Sequence, residues 1–177
     1  NYLKYLKKLN KIKFIGISIL NLNELEKALS IKEIDVIQLP FNVLETRWKK
    51  TINKIYKARK SGKIIQVRSI YLQGLLLSSD KKLWSKANCS DPKKIFEWLD
   101  TNIKKTKSKS LLSFLINYIL STDWIDSVVI GFNTKEEFKS LIKNLKNRKI
   151  NKNILNEIEI NKLSLNENII NPIKWKI

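Results

Sequence analysis

Apolar residues recur along this chain in two alternating rhythms: short continuous runs, as in buried strands, and spacings of three and four, as on one helix face. Leu3, Leu6 and Leu9, with lysines between them, predict an opening helix. Lys13-Phe14-Ile15-Gly16-Ile17-Ser18 reads as a short buried strand. Asn23 is placed to cap a helix through Glu24–Leu29, with Glu26 completing a capping box. Ile34-Asp35-Val36-Ile37-Gln38 predicts the next strand, stopped by Pro40. From Thr46 to Arg59 the pattern is amphipathic, with Trp48, Ile52, Ile55 and Tyr56 on one side and Gly62 ending the helix. Lys63-Ile64-Ile65-Gln66-Val67-Arg68 is a third strand.

A stretch without clear period follows from Ser69 to Ser90. Asp91-Pro92 then predicts a helix start, as N-cap and first-turn proline, with a stripe of Ile95, Trp98, Leu99 and Ile103. Leu111, Leu112, Leu115, Ile116, Ile119 and Leu120 mark another helix. Ser127-Val128-Val129-Ile130 is a fourth strand, and Thr134 with Glu137 has capping-box spacing before a helix that would bury Phe138, Leu141, Ile142 and Leu145. The tail after Asn147 reads as polar and rich in Asn and Lys, up to Pro172 and Trp175. Four strands near residues 12–18, 34–38, 64–68 and 127–130, joined by helical crossovers, imply an α/β fold with a parallel sheet and covered faces. They could form half of a (β/α)8 barrel or a small doubly wound sheet. No internal repeat or linker divides the chain, so residues 1–177 are expected to be a single domain.

Charge changes the picture less than its size suggests. The chain has 35 Lys and Arg against 16 Asp and Glu, a net charge of +19. Such a balance can mark a nucleic-acid or anionic-membrane binder. Only Arg47, Arg59, Arg68 and Arg148 are arginine, however, and the lysines are spread along the whole chain. Abundant Lys, Asn and Ile with scarce Ala and Gly is what an A+T-rich coding sequence favours. Neither a nucleic-acid nor a membrane partner is therefore expected. Methionine is absent, even at position 1, which suggests an N-terminally incomplete chain. Cys89 is the only cysteine, so no intramolecular disulfide can form, in keeping with a reducing, cytoplasmic setting. Asn88-Cys89-Ser90 matches a glycosylation sequon formally, with nothing else pointing to secretion, and no apolar run has transmembrane length.

In a parallel barrel, ligands meet the loops after the C-terminal strand ends. Here those ends are Gly16-Ile17-Ser18, Ile37-Gln38, Val67-Arg68-Ser69 and Ile130-Gly131. Hydroxyl, carboxamide and guanidinium groups gathered at one rim would suit a polar ligand, and the helix opening at Thr134 would offer free N–H groups to an anion. Other chemistries are excluded. Without histidine there is no Ser-His-Asp or Cys-His site, and one cysteine cannot build a thiolate metal centre. Neither a phosphate-binding P-loop nor a GxGxxG motif occurs. Asp35, Asp80, Asp91, Glu97, Asp100, Asp123 and Asp126 fall mostly at loops and caps; Asp91 reads as a helix cap.

Four segments carry a family resemblance. Lys11–Ser18 (KIKFIGIS), Ile34–Arg47 (IDVIQLPFNVLETR), Val67–Leu77 (VRSIYLQGLLL) and Asp126–Phe138 (DSVVIGFNTKEEF) resemble the second half of aldo-keto reductases, in the family's order and at about its spacing. The terminal INPIKW is similar to the tail of bacterial members linked to surface-sugar pathways. The resemblance implies the C-terminal half of a (β/α)8 TIM barrel, strands 5–8, and a nicotinamide cofactor, NADP or NAD, with a small carbonyl substrate. Ser18 matches the serine, and Gln38 the glutamine, that hold the nicotinamide carboxamide; Ile19 replaces the asparagine usual beside the serine. Arg68 stands where many members stack a tyrosine on the ring. Ser69, Tyr71 and Gln73 match the loop around the pyrophosphate, and Gly131, Phe132 and Asn133 the loop before the helix that receives the adenosine phosphate. The family's arginine for the 2′-phosphate falls at about Glu137, and its adenine-contacting asparagine at about Leu141. The family's catalytic aspartate, tyrosine, lysine and histidine belong to the first half of the barrel and match nothing in residues 1–177, so no catalytic or metal-binding residue is assigned. The expected function is a fragment of an oxidoreductase reducing an aldehyde or ketone. The alternatives are a non-catalytic nucleotide-binding remnant and a basic nucleic-acid-binding protein. Open sheet edges would favour self-association.

Overall fold

A computed structural model describes residues 2–145 and 149–176. Arg148, and Asn147 where the polar tail was expected to begin, lie outside the described residues. The chain divides into two compact units, one made of residues 1–41, 46–68 and 123–129, the other of residues 42–45, 69–122 and 130–177.

The first unit holds the sheet. Strands β1 (Gly16–Ser18), β2 (Val36–Pro40), β3 (Ile64–Arg68) and β4 (Ser127–Val128) lie in that order, every neighbouring pair parallel. This is the expected α/β arrangement, with the strands adjacent in space as in sequence. β2 runs on through Pro40, which was expected to lie beyond the strand end at Gln38. Helices α1 (Tyr2–Lys8), α2 (Leu22–Ser30) and α3 (Ile52–Lys60) accompany the strands. Asn21, not Asn23, caps α2: its side chain accepts from Glu24 N–H, and the Glu24 carboxylate accepts from Leu20 N–H at 2.6 Å. The amphipathic stretch from Thr46 begins as a 3-10 turn, Arg47–Thr51, before becoming α3. Gly62 (φ +93°) does end α3, in a Schellman motif: Lys63 N–H donates to Ala58 O and Gly62 N–H to Arg59 O.

Alternation fixes which face is core. Ile37 and Leu39 of β2 and Ile65 and Val67 of β3 are fully buried, along with Leu25, Ile55 and Trp48. Trp48 donates from Nε1 to Pro40 O at 2.7 Å, and Phe41 meets Trp124 edge to face at 4.7 Å. The residues between them, Val36, Gln38, Ile64, Gln66 and Arg68, are only half-buried. The sheet therefore has one apolar buried face and one polar, half-exposed face, where the apolar runs had predicted two covered ones. β1 is exposed along its whole length, not a buried strand. Gly16 lets it approach β2 closely: a Cβ there would come within 3.2 Å of Val36 Cβ and of its carbonyl oxygen.

Two aspartates fasten the strand entries. The Asp35 carboxylate, just before β2, accepts from Ile15 N–H at 2.7 Å and pairs with Lys7 at 2.6 Å. Asp126, just before β4, accepts from Ile65 N–H at 2.8 Å and pairs with Arg59 of α3 at 2.6 Å. Arg59 also donates to Asp123 O, while the Asp123 carboxylate takes the Tyr56 hydroxyl. The Tyr56 hydroxyl is pushed up to about 12, first by burial and then by that carboxylate.

The second unit is helical. The stretch Ser69–Ser90, expected to be irregular, contains a 3-10 turn at Leu75–Leu77 and α4 (Lys81–Lys86), capped by Asp80. Helices α5 (Lys93–Lys105) and α6 (Leu111–Ser121) match the predicted stripes, but the N-cap of α5 is Pro92, not Asp91; the Asp91 side chain, one residue ahead, accepts from Lys93 N–H at 3.0 Å. After α7 (Lys135–Leu145), the tail is not merely polar: it forms α8 (Lys152–Ile160), α9 (Glu167–Ile170) and a last 3-10 turn, Pro172–Lys174. Asn151, Asn166 and Asn171 cap these three in turn. On α7 only Leu141 is buried; Phe138, Ile142 and Leu145, expected to be core, are exposed. Deeper in this unit, Lys162 Nζ donates to the Tyr118 hydroxyl at 2.6 Å and to Glu45 O at 3.1 Å, while Tyr118 bonds Glu159. Burial first, and then Glu159, hold the Tyr118 hydroxyl well above its ordinary value.

Candidate functional site

In the sheet unit, parallel register brings polar groups into one row. Ser18 of β1 is the register partner of Gln38 on β2, Gln38 of Gln66 on β3, and Gln66 of Ser127 on β4. Side chains that share a register level in a parallel sheet share a face. These four do so on the half-exposed face, at the end of β1, the middle of β2 and β3 and the start of β4, and they are hydrogen-bonded in sequence. Ser18 Oγ donates to Gln38 Oε1 at 3.2 Å. Gln38 Nε2 donates to Gln66 Oε1 at 2.7 Å, and Gln66 Nε2 to Ser127 Oγ at 3.2 Å. Arg68, two residues past Gln66 and on the same face, reaches back to donate from Nε to Ser18 Oγ at 3.4 Å. Of the expected site residues, Ser18, Gln38 and Arg68 are thus brought together. Ile19, where the family has asparagine, turns into the core, and its N–H donates to Gln38 O at 2.8 Å.

Sequence alone does not mark Gln66 or Ser127 as site residues. Gln66 interrupts an otherwise apolar strand two residues before Arg68, and that spacing alone puts both on one face. What sequence could not supply was the register that sets Gln66 beside Gln38.

In the helical unit, Ser69, Tyr71 and Gln73 lie in a tight loop. Ser69 (φ +61°), Leu72 (φ +49°) and Gln73 (φ +55°) are left-handed, followed by Gly74 (φ +83°). Buried Ile70 and Leu72 anchor it, and Leu72 N–H donates to Ser69 O at 2.9 Å. Among the described residues the buried Tyr71 hydroxyl has no hydrogen-bond partner, and burial pushes it up to about 12. A buried orphan donor costs about 1–3 kcal/mol, which an acceptor oxygen placed there would remove.

Gly131, Phe132, Asn133 and Glu137 surround the start of α7, all exposed. A methyl group at Gly131 would meet no neighbouring atom, so packing does not demand glycine there. Phe132 stacks at a tilt on Phe138, 4.8 Å between centroids. The predicted capping box forms: Thr134 Oγ1 accepts from Glu137 N–H at 3.1 Å, and the Glu137 carboxylate accepts from Asn133 N–H at 2.7 Å. Of the N–H groups expected to be free for an anion, that of Glu137 is therefore taken by the Thr134 hydroxyl, and the Glu137 carboxylate occupies the Asn133 N–H just before the helix.

Among the described residues, no three His, Cys, Asp or Glu side chains gather to hold a metal ion, and no helix is long and apolar enough to cross a membrane. No curated protein sequence matches the chain closely enough to count as a relative. Among solved structures it is similar to an aldo-keto reductase of Bacillus halodurans in its holo form, with a TM-score of 0.68 at 17% identity, covering 94% of this chain and 56% of that one. The apo form of the same protein gives the same score and identity, with 57% of its length covered. The chain thus spans a little over half the length of the structures it matches. Four parallel strands in barrel order are shared with those structures, and the model of the aldo/keto reductase family matches residues 1–161 in one run. The chain belongs to the aldo-keto reductase family.

Proposed function

We propose that this chain supplies the cofactor-binding side of an NAD(P)-dependent oxidoreductase that reduces an aldehyde or ketone, and that residues 1–177 alone bind cofactor without turning it over. The observation that carries this reading is the hydrogen-bonded row Ser18–Gln38–Gln66–Ser127 with Arg68 beside it. A carboxamide offers one donor and one acceptor edge, and Ser18 and Gln38 present matching groups on a half-exposed face. Arg68 would lay its guanidinium plane on the nicotinamide ring. When bound, the nicotinamide supplies the hydride. In the helical unit the orphaned Tyr71 hydroxyl fits a pyrophosphate oxygen, with Ser69 and Gln73 in the same loop. Gly131, Phe132 and Asn133 would face the adenosine end. A cytoplasmic setting belongs to the same reading, on the strength of the single cysteine.

Of the two cofactors, NAD is the better fit. The Glu137 carboxylate lies where the family resemblance expects an arginine for the 2′-phosphate, and like charges repel. Titration of the purified chain with NADH and with NADPH, followed by nicotinamide fluorescence, tests both points. Saturable binding with NADH the tighter ligand is expected, and Glu137→Gln should tighten NADPH about threefold. If neither cofactor binds saturably, the reading fails.

We also infer that the sheet edges self-associate. β1 and β4 each have one strand neighbour among the described residues, and β1 carries exposed Ile17. Unpaired strand edges pair with other chains. The charge of +19 opposes this until salt near 0.15 M screens it beyond about 8 Å. Light scattering should show mass rising with salt; a monodisperse monomer at low and high salt alike rejects the idea.

A further inference from the structure

We propose that Gln66 is a positioning residue that sets the polarity of the carboxamide rim by fixing which way the Gln38 side chain faces. The inference rests on the cofactor reading above and deepens it. A glutamine amide can be turned end for end in nearly the same space, and the two orientations present opposite hydrogen-bonding edges. On this face the choice belongs to Gln66. Its Nε2 donates to Ser127 Oγ at 3.2 Å, and its Oε1 is turned toward β2. There it accepts from Gln38 Nε2 at 2.7 Å, the shortest contact in the row. With Gln66 in this orientation, the reverse orientation of Gln38 would set oxygen against oxygen.

With Nε2 held on the β3 side, Gln38 Oε1 must point toward β1, where Ser18 Oγ donates to it at 3.2 Å. Spending its proton this way leaves Ser18 Oγ as an acceptor, and Arg68 Nε donates to it at 3.4 Å. All the bonds along the row run in one direction, from β1 to β4. Gln38 then retains one lone pair on Oε1 and one hydrogen on Nε2. That pairing is complementary to a primary carboxamide, whose N–H and carbonyl can meet the two together. Gln66 acts only through Gln38. Its place at the middle of the register row, on β3 between Gln38 and Ser127, is what gives it this control.

The test separates orientation from binding. Variants Gln66→Leu, Gln66→Glu and Gln66→Lys are made in the 177-residue chain. Glutamate keeps an acceptor facing Gln38, lysine offers only donors, and leucine offers neither. The Gln38 side-chain amide is followed in a nitrogen–proton correlation spectrum, assigned by its loss in Gln38→Leu, and NADH affinity is measured by fluorescence. Gln66→Glu should keep the wild-type Gln38 amide signals and an affinity within about twofold, whereas Gln66→Leu and Gln66→Lys should move those signals and weaken NADH about fivefold to tenfold. Circular dichroism checks folding, and Ser127→Ala, which frees Gln66 to turn, is the second variant: it should perturb the same Gln38 signals. Unchanged Gln38 signals in Gln66→Leu and Ser127→Ala overturn the proposal, as does Gln66→Glu proving as damaging as Gln66→Lys. Should the wild-type chain fail to bind NADH, the cofactor reading falls while the Gln38 spectra still decide the orientation.

Discussion

Purified by itself, the 177-residue chain should show no carbonyl reductase activity. Reduction of a carbonyl needs a proton delivered to its oxygen as hydride arrives at its carbon, and that proton must come from a group within hydrogen-bond reach. The row across the sheet holds hydroxyls, two carboxamides and a guanidinium. Serine hydroxyls and carboxamides are too weakly acidic to serve, and arginine holds its proton too tightly. On the family resemblance, no tyrosine, lysine or aspartate of residues 1–177 is expected to match the family's catalytic group, and the chain has no histidine. The tyrosine–lysine pair that the helical unit does contain, Tyr118 and Lys162, is a packing device. Tyr118 is fully buried, and its hydroxyl is raised and bonded to Glu159, so it is placed to hold the fold together rather than to meet a substrate. General acid catalysis contributes about 10²–10⁴-fold, so its loss, with that of the aligned substrate, takes turnover below detection. Cofactor oxidation is measured with NADH and NADPH against a panel of aldehydes and ketones. Substrate-dependent oxidation above a heat-denatured control would falsify the expectation.

The second large effect concerns stability. Asp126→Ala should lower the unfolding free energy by about 2 kcal/mol. The change removes a partly solvated ion pair worth about 0.5–1 kcal/mol and leaves the Ile65 N–H, at the start of a buried strand, without its acceptor, at about 1–3 kcal/mol. Asp126→Asn keeps an acceptor and loses the charge, so about half the effect should remain. The same carboxylate predicts a pH response. Burial raises its affinity for a proton, but the Arg59 hydrogen bonds, the Ile65 N–H and the Arg59 charge outweigh burial and lower it below the ordinary 3.8. Asp35 is lowered likewise, by the Lys7 hydrogen bond first and the Ile15 N–H second. In acid the unfolded chain then binds more protons than the folded one, so stability rises with pH. Both contributions are complete above the ordinary carboxyl value and are lost as pH falls through the lowered folded values. Urea midpoints at neutral and acid pH check this: the Asp126→Ala deficit should shrink in acid. A deficit that is the same at both, with an unchanged denaturant slope, would remove the electrostatic account.

Hydrophobic rhythm was enough to locate the sheet. Each of the four apolar runs contains a strand, in the expected order, and Gly62 ends α3 as its left-handed conformation requires. What rhythm could not reveal was which faces are covered. Burial on both faces and burial on one face look alike when Ile and Val stand at exposed positions, as Ile17 and Val129 do. The same ambiguity hid the exposure of Phe138, Ile142 and Leu145 on α7. Asparagine caused the other misreading. Its abundance looked like a compositional trait, yet Asn151, Asn166 and Asn171 each start a helix or turn that a purely polar tail would lack. For the site, Ser18 and Arg68 were legible because they end strands, and Gln38 because it is a polar residue in an apolar run; the role of Gln66 was not, because it depends on pairing across strands.

The loop from Ser69 to Gly74 has a consequence for recognition. Three non-glycine residues there adopt left-handed backbone, at about 1 kcal/mol or more apiece, and buried Ile70 and Leu72 hold them in it. Folding has thus already met the entropic cost of ordering this backbone, about 1–2 kcal/mol per residue. A phosphate-bearing ligand that met Tyr71 there would find the loop pre-shaped and would lose little conformational freedom on binding, so a weak set of contacts could still hold it.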